Sequence, residues 1–238
     1  MITSTQNANI KALTKLHRKK HRDETRTFLV DGEHLVEEAH RAAVLKAVFT
    51  LEEDALHPDA VLLAPQVMKK LAGTDHTPSI VGLCAKTDPV EMGERVLILE
   101  GVQDPGNVGT LLRSALAFGF SAVVLDKKSA DPYNAKTLRA SQGAVFGLSL
   151  FESDVEAFAK DHPEHTLIAT VAQGDDAKTQ TVEEPFALIL GNEGAGLRPH
   201  TLALADVRSS LRTRGVESLN VAVAGSILMH RFAEQLEK

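Results

Sequence analysis

Short apolar runs separated by amphipathic stretches recur along this chain, and their spacing predicts alternating strands and helices. In the first part, Ile10, Leu13 and Leu16 recur at helical spacing and place a basic helix over about residues 7 to 21. It is followed by a strand "TFLVDG", a helix "EHLVEEAHRA", a strand "LKAVFT", a strand-like "AVLLA", a helix "PQVMKKLAG" and a strand "SIVGLCAK". The stretch "TDPVEMGE" (Thr87 to Glu94) loses the pattern and contains Pro and Gly, so it reads as a linker between a domain at 1–88 and one at 93–238.

The second part alternates more clearly. "RVLILEGV", "SAVVLD", "TLIATVA" and "FALILG" are short, continuously apolar runs, as expected of strands covered on both faces. The expected class is therefore α/β with a largely parallel sheet in the C-terminal part. Near the end, Val221, Ala224, Leu228 and Phe232 repeat at three- and four-residue steps, which predicts a helix with a small-residue face that packs closely.

Charge changes this picture in one place. The formal net charge is −6, yet Lys11, Lys15, Arg18, Lys19, Lys20, Arg22 and Arg26 face only Asp23 and Glu24 within the first thirty residues. Such a concentration is either a phosphate-facing patch or the solvated side of an amphipathic helix. Cys84 is the single cysteine, which excludes an intrachain disulfide. No Cys/His cluster has zinc spacing; His17 and His21, four apart, read as exposed helix residues, and no metal is expected. No apolar run approaches bilayer length and the N-terminus is polar and basic, so the expected location is cytoplasmic, with no membrane partner.

Three loops carry candidate chemistry. In "LEGVQDPGNVGTLLRSALAFG" (Leu99 to Gly119), Asn107 reads as the N-cap of a helix, with Gly106 and Gly109 allowing a tight turn and close approach of a ligand. Val108, Leu111, Leu112 and Ala115 form its buried stripe, and Arg113 points away, available to a phosphate. "LILGNEGAGLRP" (Leu188 to Pro199) packs Gly191, Gly194 and Gly196 around Glu193, more glycine than a turn requires. "GVESLNVAVAG" (Gly215 to Gly225) puts Glu217, Ser218 and Asn220 at the mouth of the last helix. Neither G-x-G-x-x-G nor a P-loop is present, which counts against a nucleotide- or NAD-binding enzyme on a doubly wound sheet.

In this order, "GNVGTLLR", "ILGNEGAGL" and "VESLNVAVAGSIL" resemble the three motifs of the SpoU/TrmH family of SPOUT methyltransferases, over roughly residues 93–238. "STQNANIKALTKLHRKKHRDETRTFLVDGEHLVEEA" resembles the ribosomal-protein-like substrate-binding domain that many such enzymes carry. The resemblance implies transfer of a methyl group from S-adenosylmethionine to an RNA ribose 2′-hydroxyl, ribosomal RNA being the leading substrate. Transfer RNA, or a noncatalytic RNA-binding protein of the same fold, are the alternatives. It also implies a parallel sheet with a deep trefoil knot and a homodimer.

By motif position, the implied cofactor-binding residues are Thr170, Ala172, Leu190, Gly191, Asn192, Glu193, Gly196, Leu211, Ser218, Leu219 and Asn220. Asn107, Arg113, Glu193, Ser218 and Asn220 are the implied catalytic group, the last three orienting the site and holding Arg113. Guanidinium is permanently protonated, so Arg113 reads as phosphate clamp and hydroxyl positioner, with the base unassigned. Lys11, Lys15, Arg18, Lys19, Lys20, Arg22 and Arg113 are the expected RNA contacts. Two departures stand out: Ser209, Ser210 and Leu211, followed by Arg212 and Arg214, replace the family's Ile-Pro-Met run, and Asp31 replaces a usual glutamate.

Overall fold

The computed structural model of the chain describes residues 1–74, 76–177, 180–216 and 218–236. In chain order the elements are α1 (Ala8–Thr14), α2 (Lys19–Thr25), β1 (Thr27–Asp31), α3 (Glu33–Arg41), β2 (Leu45–Thr50), β3 (Val61–Leu62), α4 (Pro65–Ala72) and β4 (Ile80–Ala85). There follow β5 (Arg95–Leu99), α5 (Pro105–Ala117), β6 (Ala122–Leu125), α6 (Ala135–Ser141), β7 (Ser149–Glu152), α7 (Val155–Asp161) and β8 (Thr166–Asp176). β9 (Phe186–Leu190), α8 (Pro199–Leu204), β10 (Val207–Ser210) and α9 (Val221–Leu236) complete the set. Two compact units emerge: Met1–Thr87 with Tyr133–Phe146, and Asp88–Pro132 with Gly147–Lys238. The segment carrying α6 thus clusters with the first unit although it lies between elements of the second.

The first unit is a four-stranded mixed sheet, order β1-β4-β2-β3. β4 runs antiparallel to both β1 and β2. Ile10 of α1 and Val67, Met68 and Leu71 of α4 form one core with Phe49 and Val81 of the sheet. The basic segment expected as one helix is broken. A 3-10 turn at Lys15–His17 separates α1 from α2, and Arg18 between them is extended. The break frees the Leu16 carbonyl from a helical partner, and Arg22 Nη1 donates to it at 2.7 Å. Arg22 is consequently buried, 4% exposed. That corrects its assignment as a phosphate contact, because the guanidinium is turned inward to satisfy backbone.

The second unit holds a six-stranded, all-parallel sheet in the order β10-β8-β9-β5-β6-β7. Successive residues alternate between two covered faces. Leu97 and Leu99 pack with Leu111, Leu188, Leu228 and Phe232, whereas Val96 and Ile98 pack with Val155, Phe158, Leu167 and Ile189. Burial on both sides is what made these strands read as unbroken apolar runs. The chain moves outward from β5 through β6 to β7, then returns on the other side through β8, with β9 seated between β8 and β5. A reversal of strand order beside β5 opens a crevice at the carboxyl ends of β5 and β9, the usual place for a ligand in an open parallel sheet.

α9 lies against α5, and Ser114 and Ser226 hydroxyls meet at 2.7 Å. The small-residue face has a concrete cause. A Cβ at Gly225 would come within 2.5 Å of Leu190 Cδ1 and 2.6 Å of Leu111 Cδ2. The fully buried stripe of α9 runs through Ala222, Gly225, Leu228, Met229 and Phe232, while Val221 and Ala224 are half-buried at its margin.

Candidate functional site

The first loop leaves β5 beside the second, because Leu99 and Leu190 are register partners and Glu100 N donates to Leu190 O at 2.9 Å. Its helix starts earlier than the sequence reading placed it. Asp104, not Asn107, is the N-cap, with Pro105 at the first helical position and Asp104 Oδ1 accepting from Asn107 N at 3.0 Å. Proline's fixed φ and missing N–H suit that first position, so the cap falls one residue before it. Gly106 and Gly109 accordingly lie inside α5 and make no turn.

Freed from capping, the Asn107 side chain sits at the centre of a polar clamp. Its Nδ2 donates to Glu193 Oε1 at 3.1 Å, and its Oδ1 accepts from Asn220 Nδ2 at 3.0 Å. Glu193 also accepts from the backbone N–H groups of Gln103 (3.3 Å) and Asp104 (3.2 Å). One residue from each loop is therefore joined in a single chain of bonds. Asn220 Oδ1 caps α9 by accepting from Ala222 N and Val223 N. The clamp that was expected to hold Arg113 closes on Asn107 instead; Arg113 is exposed on α5 and is absent from the lining of the cavity described below.

Electrostatics follow from these bonds. Partial burial pushes the Glu193 carboxyl upward, but hydrogen bonds from Asn107 and from the backbone of Glu193, Asp104 and Gln103 outweigh it and hold the carboxyl below its ordinary value. At neutral pH it is a fixed negative acceptor and a weak base.

The glycine loop is tightly wound. Asn192 and Gly196 exchange backbone bonds (3.1 and 2.9 Å), and Asn192 Oδ1 accepts from Gly194 N and Ala195 N. Asn192 Nδ2 reaches Gly101 O at 2.8 Å, tying the second loop to the first. A Cβ at Gly191 would lie 2.5 Å from the Gly196 carbonyl carbon, so only glycine permits this approach.

Beside the clamp is a cavity of about 400 Å³, within the range of small-molecule sites. Thr170, Ala172, Leu190, Gly191, Asn192, Glu193, Gly196, Leu211, Ser218, Leu219 and Asn220 all line it, joined by Ser209, Thr213, Val221 and Leu228. Glu217 lies outside the described residues. Ser209 Oγ is buried without a hydrogen-bond partner among the described groups. Together with backbone brought close at Gly191, that orphaned hydroxyl fits a bound polar ligand.

Two residues that sequence reasoning missed hold the loops. Glu100, 3% exposed, accepts from Arg198 N (3.1 Å) and Thr201 Oγ1 (2.7 Å) and pairs with Arg198 Nε, fixing the far end of the glycine loop. Asp126 Oδ1 accepts from Gly101 N at 2.9 Å and from Ser129 Oγ at 2.8 Å, fixing the start of the first loop. Glu100 was visible as an acid ending an apolar strand; nothing at Asp126 announced its partner.

The SpoU rRNA methylase family matches residues 94–230, which contain every residue of the clamp and the cavity lining. The chain belongs to the SpoU rRNA methylase family. This SpoU methylase is also matched over residues 7–82 by the MRM3-like substrate binding domain. It is 35% identical to the Bacillus subtilis 23S rRNA (guanosine(2553)-2′-O)-methyltransferase RlmP, the match covering 96% of this chain and 97% of that one. An AdoMet-bound rRNA methyltransferase from Sinorhizobium meliloti superposes with a TM-score of 0.86 at 28% identity, covering 99% of this chain and 97% of that chain. The AdoMet complex of the SpoU methyltransferase AviRb from Streptomyces viridochromogenes shares the fold, with a TM-score of 0.87 at 22% identity over 98% and 99% of the two chains.

In the first unit, Lys11, Lys15, Arg18, Lys19 and Lys20 are exposed. Lys19 pairs with Asp23 at 3.0 Å and Lys20 with Glu24 at 3.8 Å, both one helical turn on. No helix among the described residues is long and apolar enough to cross a membrane.

Proposed function

We propose that this SpoU methylase transfers a methyl group from S-adenosylmethionine to a ribose 2′-hydroxyl of ribosomal RNA, acting in the cytoplasm. The observation that carries the reading is the bond chain Glu193–Asn107–Asn220 at the edge of the cavity lined by the second and third loops. S-adenosylmethionine supplies an electrophilic sulfonium methyl.

The residues that would hold it are the backbone of Leu190 to Gly196, Leu211 and Leu219, and the hydroxyls of Thr170, Ser209 and Ser218. Their task is orientation, because an in-line displacement gains most from fixing the reacting atoms at attack distance. The ribose hydroxyl held against that methyl group would have to release its proton, and solvent water at the open edge of the cavity would receive it. Glu193 is too weak a base for that proton, and its bonds to two backbone N–H groups and to Asn107 assign it to positioning the first loop. To Arg113, exposed on the same helix as Asn107, we assign the role of clamp on an RNA phosphate.

The exposed lysines of α1 and α2 supply sequence-independent attraction to RNA. We also assign the catalytic domain to residues 93–238, with a trefoil knot in its C-terminal part, and the substrate domain to 1–88. A homodimer is supported by the solvent-exposed apolar side chains Leu116 on α5 and Val223 and Ile227 on α9, 42%, 48% and 36% exposed. The deciding experiment is mass-spectrometric mapping of ribose methylation in RNA from cells with and without the protein. A single ribosomal RNA nucleotide that loses its methyl group establishes the reading, and an unchanged ribosomal map overturns it.

A further inference from the structure

The turn between α7 and β8 reads "HPEHT", and it brings three potential ligand atoms together outside the cavity. His162 Nδ1 lies 3.4 Å from Glu164 Oε1, and His165 Nδ1 lies 3.1 Å from the same oxygen. All three atoms fall within 4.8 Å of one another. His165 Nε2 sits 2.9 Å from Gly93 O, a carbonyl that can only accept, so Nε2 donates to it and Nδ1 is the ring atom turned toward Glu164. Two imidazole nitrogens thus converge on one carboxylate oxygen, an arrangement that either ring protons or one divalent cation satisfies.

We infer that His162, Glu164 and His165 form a divalent transition-metal site of the zinc class, with solvent completing the coordination. Zinc–ligand bonds of about 2.0–2.1 Å in a tetrahedron put neighbouring ligand atoms about 3.4 Å apart, which two of the three edges here approach. The bond from His165 Nε2 to a backbone carbonyl is the orienting contact that metal-bound histidines make through their second nitrogen. Phe158 fixes the rings further: its centroid is 5.0 Å from that of His162 and 5.4 Å from that of His165. The His165 side chain is 4% exposed and that of Glu164 53%, so one ligand is anchored in the fold and another opens the site to solvent. Its role is structural, a staple across the turn that starts β8. The sequence reading expected no metal because it sought Cys/His spacings, and H-x-E-H across a turn is not one of them.

The test uses the full chain stripped with a chelator. Titrated with Co²⁺, it should develop the visible absorption of a tetrahedral-type site at one equivalent, and Zn²⁺ should displace the colour and raise the melting temperature. The His162→Ala/Glu164→Gln double variant should bind about tenfold more weakly or worse and lose the Zn²⁺-induced shift, while S-adenosylmethionine affinity stays at the wild-type value. His165 also bonds Gly93 and packs on Phe158, so its replacement is kept out of the decisive comparison. Equal Co²⁺ spectra and affinity in wild type and double variant would overturn the site, as would absence of binding at millimolar Zn²⁺.

Discussion

Basic side chains in α1 and α2 of the first unit and the loop cluster of the second are both assigned to RNA chemistry, yet they are built on opposite plans. Along α2 the lysines stand in solvent, and Lys19 pairs with Asp23 and Lys20 with Glu24, acids of their own helix. Each such pair is worth a few tenths of a kcal/mol and is screened by salt. In the loop cluster, by contrast, each polar group of the clamp has its position set by others: Glu193 by two N–H groups and Asn107, Asn107 by Asn220, and Asn220 by the start of α9. Mobile charge attracts a polyanion from any direction. Fixed dipoles hold one atom against another. Substitutions should therefore be nearly additive in the first region and strongly coupled in the second.

The largest expected effect is Arg113→Ala. Turnover should fall by about 10³-fold or more, in keeping with loss of a charge that positions the reacting group, while calorimetry finds S-adenosylmethionine affinity unchanged because Arg113 is not part of the cavity lining. Lost cofactor affinity would overturn that division of labour. Next comes Gly191→Ala, whose Cβ would meet Gly196 and Leu197 backbone at 2.5 and 2.6 Å. Backbone cannot yield as a side chain does, so cofactor binding should drop to the detection limit; near-normal affinity would show that the two loop arms are free to part.

Asn220→Ala should weaken binding and catalysis together by about ten- to a hundredfold, since it removes both the Asn107 contact and the α9 cap. A double-mutant cycle with Asn107→Ala sharpens the comparison. Clear coupling is expected here, whereas Lys15→Ala with Lys20→Ala should add independently in RNA binding.

How far the sequence displayed all this differs between the regions for the same physical reason. Strands buried on both faces, such as Val96–Leu99 and Phe186–Leu190, announce themselves as continuous apolar runs. The edge strands β7 ("SLFE") and β10 ("VRSS") do not, having only one neighbour and mixed residues. Six- and seven-residue helices such as α6, α7 and α8 are too short to show a period; Asn134 and Asp154, which cap the first two through their side chains, are the local signals that were available. At the site, the resemblance to the family's motifs pointed to the lining residues but not to their bonding. Which of Asp104 and Asn107 capped α5 was decided by Pro105, and that the clamp grips Asn107 depends on the Leu99–Leu190 register, a long-range fact. Likewise the charge count of the first thirty residues treated Arg22 as equal to its neighbours, because only the break at Arg18 turns it inward.

Arg22 allows a smaller test of that distinction. Arg22→Ala removes a charged hydrogen bond to a buried carbonyl and should cost about 1.5–3 kcal/mol of stability, read as a lowered denaturation midpoint. The salt dependence of RNA affinity should not move. An altered salt slope with unchanged stability would return Arg22 to the phosphate-facing group.

The smallest effects concern ionisation and screening. Glu193 has its carboxyl held below the ordinary value, so its contribution to the loop cluster is fully present above the unfolded-state value of about 4.3 and is lost as pH falls through the lower folded value. Cofactor affinity should therefore be flat from neutral pH down to about pH 5, with any fall confined to more acid solution; a titration near neutrality that vanishes in Glu193→Gln would contradict the bonding described. RNA affinity behaves differently over the same interval, since it falls linearly in log–log form with added salt. Removing one phosphate-contacting lysine, as in Lys20→Ala, should lower that slope by about one unit and affect all RNA sequences alike. A slope independent of Lys11, Lys15, Lys19 and Lys20 would mean that the exposed side of these helices is merely solvated, and that the loop cluster binds its substrate without help from attraction in the first unit.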